Sequence, residues 1–456
     1  MTRHYSDAIW ASRDIPDLAE LSVSHFYNKK ALHLYRLVLI SSTQPRDHRL
    51  GRGETIGGQF VKVALCLESS AAVYEIRMTM RVATIQPTNL TPDNQQDVSI
   101  HRWPELGIIE GFFGKSWSWQ QREDYASWLC QHGYGFYIYA PKDDGYLRRH
   151  WQLPWPAAQL DQLKTLASRY RAAGLAFGVG LTPLGAHHDY PKQRDALLAK
   201  VKLIDSELAP DILAVLFDDM PSDTPALANL QLTIAHDIAA HTRARKLIFC
   251  PSFYSTDPIL EQVFGAMPAN YWPELGAGLD AQFDLFWTGP KVCSSSYPLD
   301  HLSWVADTLK RKPFLWDNYP VNDGKRACNF LHLRPFADRP PQLLDYLAGH
   351  AVNPMKQAML SRLPLASLPL SYQFGDDYQV DAIWRQVADR ELGAELATLM
   401  THDLPLLADV GLAQMSAVDH QQLQQRYRPF AHQPAIAELL GWLAGDYQFD
   451  PACLTD

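Results

Sequence analysis

The sequence contains no C-x-x-C pair. Its six cysteines, Cys66, Cys130, Cys250, Cys293, Cys328 and Cys453, are scattered over 456 residues. That spacing argues against zinc ribbons and thioredoxin-like redox motifs and is too sparse for a disulfide scaffold, so buried thiols are expected. No stretch reaches the ~18 uninterrupted apolar residues of a membrane span. The opening MTRHYSDAIWASRDIPDL lacks an apolar core of signal-peptide length, which leaves the cytoplasm as the default compartment. A basic block is missing too. Lysine and arginine number 41 against 50 aspartates and glutamates, a net charge of −9, which disfavours a general nucleic-acid binder. There is no internal repeat and no low-complexity linker. Gly51-x-Gly53 sits in no strand–turn–helix context, and the adjacent His187 and His188 lack the i, i+4 spacing of a helical zinc site. Neither a metal nor an organic cofactor is expected.

What is present is ordinary globular material, with 47% apolar and 20% charged residues. A polar, turn-rich stretch at 87–98 (PTNLTPDNQQDV) marks a boundary. Before it lie apolar runs at 34–40 and 61–67 and an alternating stretch at 72–82, which together predict a small α+β domain over residues 1–100. Beyond it the rhythm changes. Short apolar runs recur every ~30–40 residues, the spacing expected when ~250 residues carry eight strand–helix units. They fall at 106–109, 136–140, 176–181, 212–217, 247–250, 285–287, 314–316 and 347–352. Their lack of alternation fits parallel strands buried on both faces.

Helix signals lie between the runs. Ser118-x-x-Gln121 is a capping-box pattern before a helix closed by Gly133. Leucines at 160, 163 and 166 precede a stop at Gly174, and Asp257-Pro258 reads as an N-cap with proline in the first turn. The pattern predicts an α/β fold, a (β/α)8 TIM barrel over residues 101–370, with a doubly wound open sheet as the alternative. From 371 to 456 the chain reads as a helical C-terminal extension of mixed charge, as at 378–400.

In such a barrel the active site lies where the strands end. Glu110-Gly111-Phe112-Phe113-Gly114 follows the first run, Pro141-Lys142-Asp143-Asp144 the second and Asp218-Asp219 the fourth. Pro251-Ser252-Phe253-Tyr254 follows the fifth and Thr288-Gly289-Pro290-Lys291 the sixth. Asp317-Asn318, with Asp323 close behind, follows the seventh, and Asn353 the eighth. Polar and aromatic groups thus meet on one rim, as a polyhydroxylated ligand requires. Neighbouring residues of an extended strand point to opposite sides, so Asp218 and Asp219 serve one ligand only if the backbone turns there. Two readings stay open for the pair: a proton donor beside a charge stabiliser, or a helix N-cap. Lys142 is either a substrate donor or the ion-pair partner of Asp143 and Asp144. Trp287 and Trp316, at strand ends, are candidates for a sugar-stacking wall among 13 tryptophans that mostly serve the core.

Seven blocks, GIIEGFFG at 107–114, YAPKDD at 139–144, LFDD at 216–219, FCPSFY at 249–254, WTGPKV at 287–292, WDNYPVND at 316–323 and NPM at 353–355, resemble glycoside hydrolase family 84. The likeness runs in order from about residue 104 to about 370. That family comprises the eukaryotic protein O-GlcNAc hydrolase and bacterial exo-β-N-acetylglucosaminidases. Many bacterial members carry a small α+β domain before the barrel, and a helical segment follows it. The resemblance implies hydrolysis of terminal β-GlcNAc with retention, in which the substrate's own 2-acetamido oxygen forms an oxazoline and the protein supplies no nucleophile. By the same match Asp218 would orient the acetamido N–H and Asp219 would be the general acid and later base. Gly111 would offer a backbone carbonyl to a ring hydroxyl, and Lys142, Asp323 and Asn353 would bind hydroxyls. Asn318 and Tyr254 would hold the acetamide and the leaving side, and Trp316 would wall the acetamide methyl. One position departs from the pattern: Phe113 stands where the family usually has tyrosine. A GlcNAc-terminated glycoside, glycan or glycoprotein is the expected partner, with no nucleic acid and no membrane. A broader β-hexosaminidase, a hyaluronidase-type enzyme and a non-catalytic GlcNAc-binding protein are the alternatives.

Overall fold

The computed structural model describes residues 105–221, 224 and 226–455, together with the backbone of three strands between residues 38 and 82. The chain divides into two compact units, 1–98 and 99–456. In the first, β1 (Val38–Leu39), β2 (Gln59–Ser69) and β3 (Ala72–Val82) form an antiparallel sheet in that order. The alternating stretch at 72–82 is β3. The helical part of the expected α+β domain, Cys66 as a side chain, the Gly51-x-Gly53 pair and the polar boundary stretch lie outside the described residues.

In the second unit eight strands close into a barrel: β4 (Leu106–Glu110), β5 (Phe136–Tyr139), β6 (Ala176–Leu181), β7 (Ile212–Leu216), β8 (Lys246–Cys250), β9 (Phe283–Trp287), β10 (Phe314–Asp317) and β11 (Gly349–Val352). Every neighbouring pair is parallel, and β11 closes on β4. Each coincides with one of the eight apolar runs, so the open-sheet alternative falls. Strands walled on both faces have no polar face to show, which is why the runs are unbroken.

Helices α1 (Trp119–Gln131), α2 (Ala157–Ala172), α3 (Tyr190–Glu207) and α4 (Leu227–Ala239) follow the first four barrel strands. Then come α5 (Ile259–Phe264) and α6 (Tyr271–Gly278) after β8, α7 (Leu299–Leu309) after β9 and α8 (Ala358–Phe374) after β11. The capping box forms as the sequence predicts. Ser118 accepts from the Gln121 backbone N–H, and the Gln121 side chain accepts from the Ser118 backbone. The Asp257 carboxylate caps α5 through the Ile259 N–H at 3.2 Å. The connection from β10 to β11 departs from strict alternation: it carries only 3-10 turns at Ala327–Asn329 and Pro341–Asp345. That helix-free loop supplies several of the site residues described below.

Past the barrel lie α9 (Val380–Leu392), α10 (Ala394–Pro405), α11 (Ala417–Tyr427) and α12 (Pro434–Leu443). The helical stretch at 378–400 is divided between α9 and α10 at Gly393, whose φ of +82° suits glycine alone among common residues. Residue 371 falls inside α8, against which α9 and α12 pack. Cys250 and Cys453 are buried, but Cys130 and Cys293 are exposed, contrary to the expectation of buried thiols. No helix among the described residues is long and apolar enough to cross a membrane.

Candidate active site

β7 ends at Leu216, and the chain turns at once. Asp219 adopts a φ of +56°, a left-handed conformation that aspartate tolerates better than most residues. The turn brings both carboxylates to one side, because a single ammonium reaches both. Lys142 Nζ, from the end of β5, is hydrogen-bonded to Asp218 Oδ2 and lies 3.8 Å from Asp219 Oδ2. The helix-cap reading of the pair falls, since α4 does not begin until Leu227. The ion pair expected between Lys142 and its sequence neighbours falls as well. Asp144 instead accepts from the Tyr139 hydroxyl, Trp155 Nε1, Gln159 Nε2 and the Tyr146 N–H at 2.9–3.1 Å, which pins the β5 loop.

The two aspartates differ in their partners. Asp218 Oδ1 is buried with no hydrogen-bond partner among the described residues, an acceptor that costs free energy unless something donates to it. Asp219 Oδ1 accepts from the Tyr254 hydroxyl at 3.0 Å. Burial raises the Asp219 pKa and the charge of Asp218 adds to the rise. Lys142, Arg148 and the Tyr254 hydrogen bond oppose it. Arg148, which no motif singled out, donates Nη2 to the Asp219 carbonyl at 3.3 Å and lies 5.3 Å from the Phe113 ring.

Opposite stands a linked set of hydrogen bonds. Asn353, after β11, accepts from the Gly111 N–H at 3.1 Å and donates to Asn318 Oδ1 at 3.0 Å. Asn318 Oδ1 also accepts from Trp316 Nε1 at 2.9 Å, and its amide donates to the Val292 carbonyl at 2.9 Å. A methyl on Gly111 would lie 2.5 Å from Trp316 Cζ2, so only glycine fits against that ring. Asp323 accepts from the Phe113 N–H at 2.8 Å, and burial pushes its carboxyl up to about 6.

All nine site residues predicted from the sequence line one cavity or hold its lining: Gly111, Lys142, Asp218, Asp219, Tyr254, Trp316, Asn318, Asp323 and Asn353. Phe113 lines it too. Trp287 does not. It is wholly buried outside the barrel against Trp272 and Trp304, with Nε1 donating to His301. Glu110, also at a strand end, faces away into an ion pair with Arg122 and a hydrogen bond from Tyr137. His187 and His188 form a 3-10 turn.

Sequence reasoning missed the scaffold beneath the rim. Asp317, the residue between Trp316 and Asn318, is fully buried and takes two hydrogen bonds from Arg339, at 2.7 and 3.0 Å, and one from His350 at 3.1 Å. The Arg339 guanidinium and the hydrogen bonds from Arg339 and His350 hold its carboxyl well below the usual carboxylate range despite burial. Arg339 also donates to the Ser295 and Ser294 carbonyls, which ties the β9 loop to the end of β10. Cys453 and Thr455 reach the cavity from the far end of the chain, and Thr455 stands beside Tyr254. No group of histidine, cysteine and acidic residues able to hold a metal ion occurs among the described residues.

Residues 106–402 match the family described as beta-N-acetylglucosaminidase. The protein O-GlcNAcases of Rattus norvegicus and Mus musculus are each 30% identical to this chain over 258 residues, which is 54% of this chain and 28% of theirs. The match therefore spans less than a third of the length of these curated relatives. An O-GlcNAc hydrolase mutant of Thermobaculum terrenum has a similar structure, with a TM-score of 0.59 at 28% identity, covering 75% of this chain and 74% of that one.

Proposed function

This chain belongs to the β-N-acetylglucosaminidase family of glycoside hydrolases, and from that premise we propose that it is an exo-acting β-N-acetylglucosaminidase working with retention through an oxazoline. The observation that carries the proposal is that Asp218 Oδ1 has no partner among the described residues and stands beside a neighbour of raised pKa. A substrate acetamido N–H is the donor that Asp218 Oδ1 lacks. With that N–H held, the acetamido carbonyl oxygen is aimed at the anomeric carbon and gains electron density. Asp219 keeps its proton and delivers it to the departing glycosidic oxygen. Once the oxazoline has formed, the Asp219 anion takes a proton from water, which opens the ring from the same face. Acid and base are one residue in the two halves of the reaction.

The remaining residues hold the sugar. Lys142 spreads one positive charge over two carboxylates and has ammonium hydrogens left for a hydroxyl. Asn353 fixes Gly111, whose carbonyl is then free to meet a ring hydroxyl. Trp316, anchored by Asn318, forms the wall for the acetamide methyl. The substrate is a GlcNAc-terminated glycan, glycoprotein or small glycoside.

NMR of an aryl β-GlcNAc during hydrolysis tests the mechanism. The β-anomer of GlcNAc is expected first, and a thiazoline mimic of the oxazoline should inhibit far more tightly than GlcNAc. An α-anomer as first product, or no release of GlcNAc, refutes it.

A further inference from the structure

Beside the sugar pocket lies a second cavity, of about 670 Å³. The two share Val292, Cys293, Asn318, Val321 and Thr455, so they adjoin. Thr455 lies against Tyr254, and Tyr254 hydrogen-bonds Asp219. Thr455, which lines both cavities, thus connects the general acid through Tyr254 to the second one.

Three half-buried rings line that cavity: Tyr319, His332 and Phe330. Tyr319 and His332 are 5.8 Å apart with planes 18° from parallel, and His332 and Phe330 are 6.4 Å apart at 16°. Two of the rings are fixed before any ligand arrives. His332 Nδ1 donates to the Pro320 and Val321 carbonyls at 3.0 and 2.9 Å, and the Tyr319 hydroxyl donates to the Arg334 carbonyl at 2.6 Å. The charged lining is balanced, with Asp257 and Asp409 against Lys291 and Arg326.

We propose that this cavity is a leaving-group subsite for a second pyranose, so that the favoured substrate is a GlcNAc-terminated glycan. The inference rests on the functional reading given above. Aromatic rings on the cavity wall suit the flat C–H face of a β-linked sugar, while charges of both signs serve its rim of hydroxyls and select no net charge. Preorganised rings lower the ordering cost of binding. A peptide leaving group finds less here. The barrel is closed, so its strands offer no edge for an extended backbone to join.

The test compares kcat/KM of the full chain on a β-linked GlcNAc disaccharide and on a serine-linked GlcNAc peptide, with an aryl β-GlcNAc as reference. The disaccharide should lead, and Phe330→Ala should cost it roughly tenfold, the scale of one lost ring contact, with a smaller loss on the glycopeptide. Phe330→Leu, which keeps apolar bulk without a ring face, should behave like Phe330→Ala and guards against a folding defect. The Ki of the thiazoline, which has no leaving group, should stay put in both variants. A glycopeptide preference, or equal losses on both substrates, overturns the subsite. No turnover of the aryl glycoside by the wild type overturns the functional reading itself, and the subsite with it.

Discussion

The Tyr254 hydroxyl donates a 3.0 Å hydrogen bond to Asp219, and that bond favours the ionised carboxylate against the burial that raises its pKa. Its removal has a definite sign. Tyr254→Phe takes away a stabiliser of the anion, so the Asp219 pKa rises further and the basic limb of the kcat/KM profile moves to higher pH. A pH–rate series on a β-GlcNAc glycoside whose leaving group needs protonation reads the shift. A limb that stays in place would mean that the hydrogen bond does not act on the titrating proton.

The two aspartates should separate by leaving group. Asp219→Ala is expected to cost roughly 10²–10⁴-fold on substrates with basic leaving groups, the usual worth of a general acid, and much less on activated aryl glycosides that depart unprotonated. Asp218→Ala should damage both classes alike, because the internal nucleophile is needed whatever leaves. Plotting rate against leaving-group pKa for each variant shows it as a steep slope for Asp219→Ala and an unchanged one for Asp218→Ala. The reverse pattern would exchange the roles.

The barrel and most of the rim were readable from residues 106–353 because both signals are local. A strand walled on two sides writes an unbroken apolar run, and the polar block that follows it marks the rim. Trp287 shows where that logic ends. It and Trp316 occupy similar places near strand ends, yet Phe286 meets Phe314 and Trp316 inside the barrel, while Trp287 packs outward on Trp272 and Trp304. The phase of a two-residue alternation decides between them, and an all-apolar run hides that phase. Arg148, Arg339 and Thr455 left no trace at all. Arg148 acts on Asp219, 71 residues on, Arg339 on Asp317, 22 residues back, and Thr455 on Tyr254, and nothing in the neighbouring sequence encodes such a contact. Lys142 lay between: its position was marked by the motif, but its true partner is Asp218, 76 residues on, rather than the acids beside it.

The Asp317–Arg339 pair should be a measurable prop of the fold. Both side chains are almost wholly enclosed, at 0% and 2% exposed, and loss of one partner strands a buried charge. Arg339→Met is therefore expected to destabilise by about 3–5 kcal/mol in urea unfolding at neutral pH. The folded pKa of Asp317 is depressed, so the pair's contribution is fully present above the ordinary aspartate value near ~3.9 and fades as pH falls toward the folded one. The wild type should lose its advantage over Arg339→Met on strong acidification. A gap that stays constant down to acid pH would show that Arg339 contributes by packing alone.

Opposite charges beside Asp219 should move its titration in opposite directions. Lys142 lowers the Asp219 pKa and Asp218 raises it. Lys142→Met removes a cation 3.8 Å from Asp219 Oδ2, so the proton is held more tightly and the basic limb of kcat/KM moves up. Asp218→Asn removes the like charge, and the limb moves down. That variant also leaves the Lys142 ammonium undivided toward Asp219, which adds to the downward shift. Because the carboxylates interact, the limb reports the pair and not one microscopic site, but the sign of each change survives that coupling. Both profiles are read on a β-GlcNAc glycoside whose leaving group needs protonation, because only there does the Asp219 proton limit the rate. Shifts in the same direction for both would show that something other than charge on this pair sets the limb, and a pair of unmoved limbs would place the titrating group elsewhere in the pocket, with Asp323, pushed up to about 6 by burial, the first residue to substitute next.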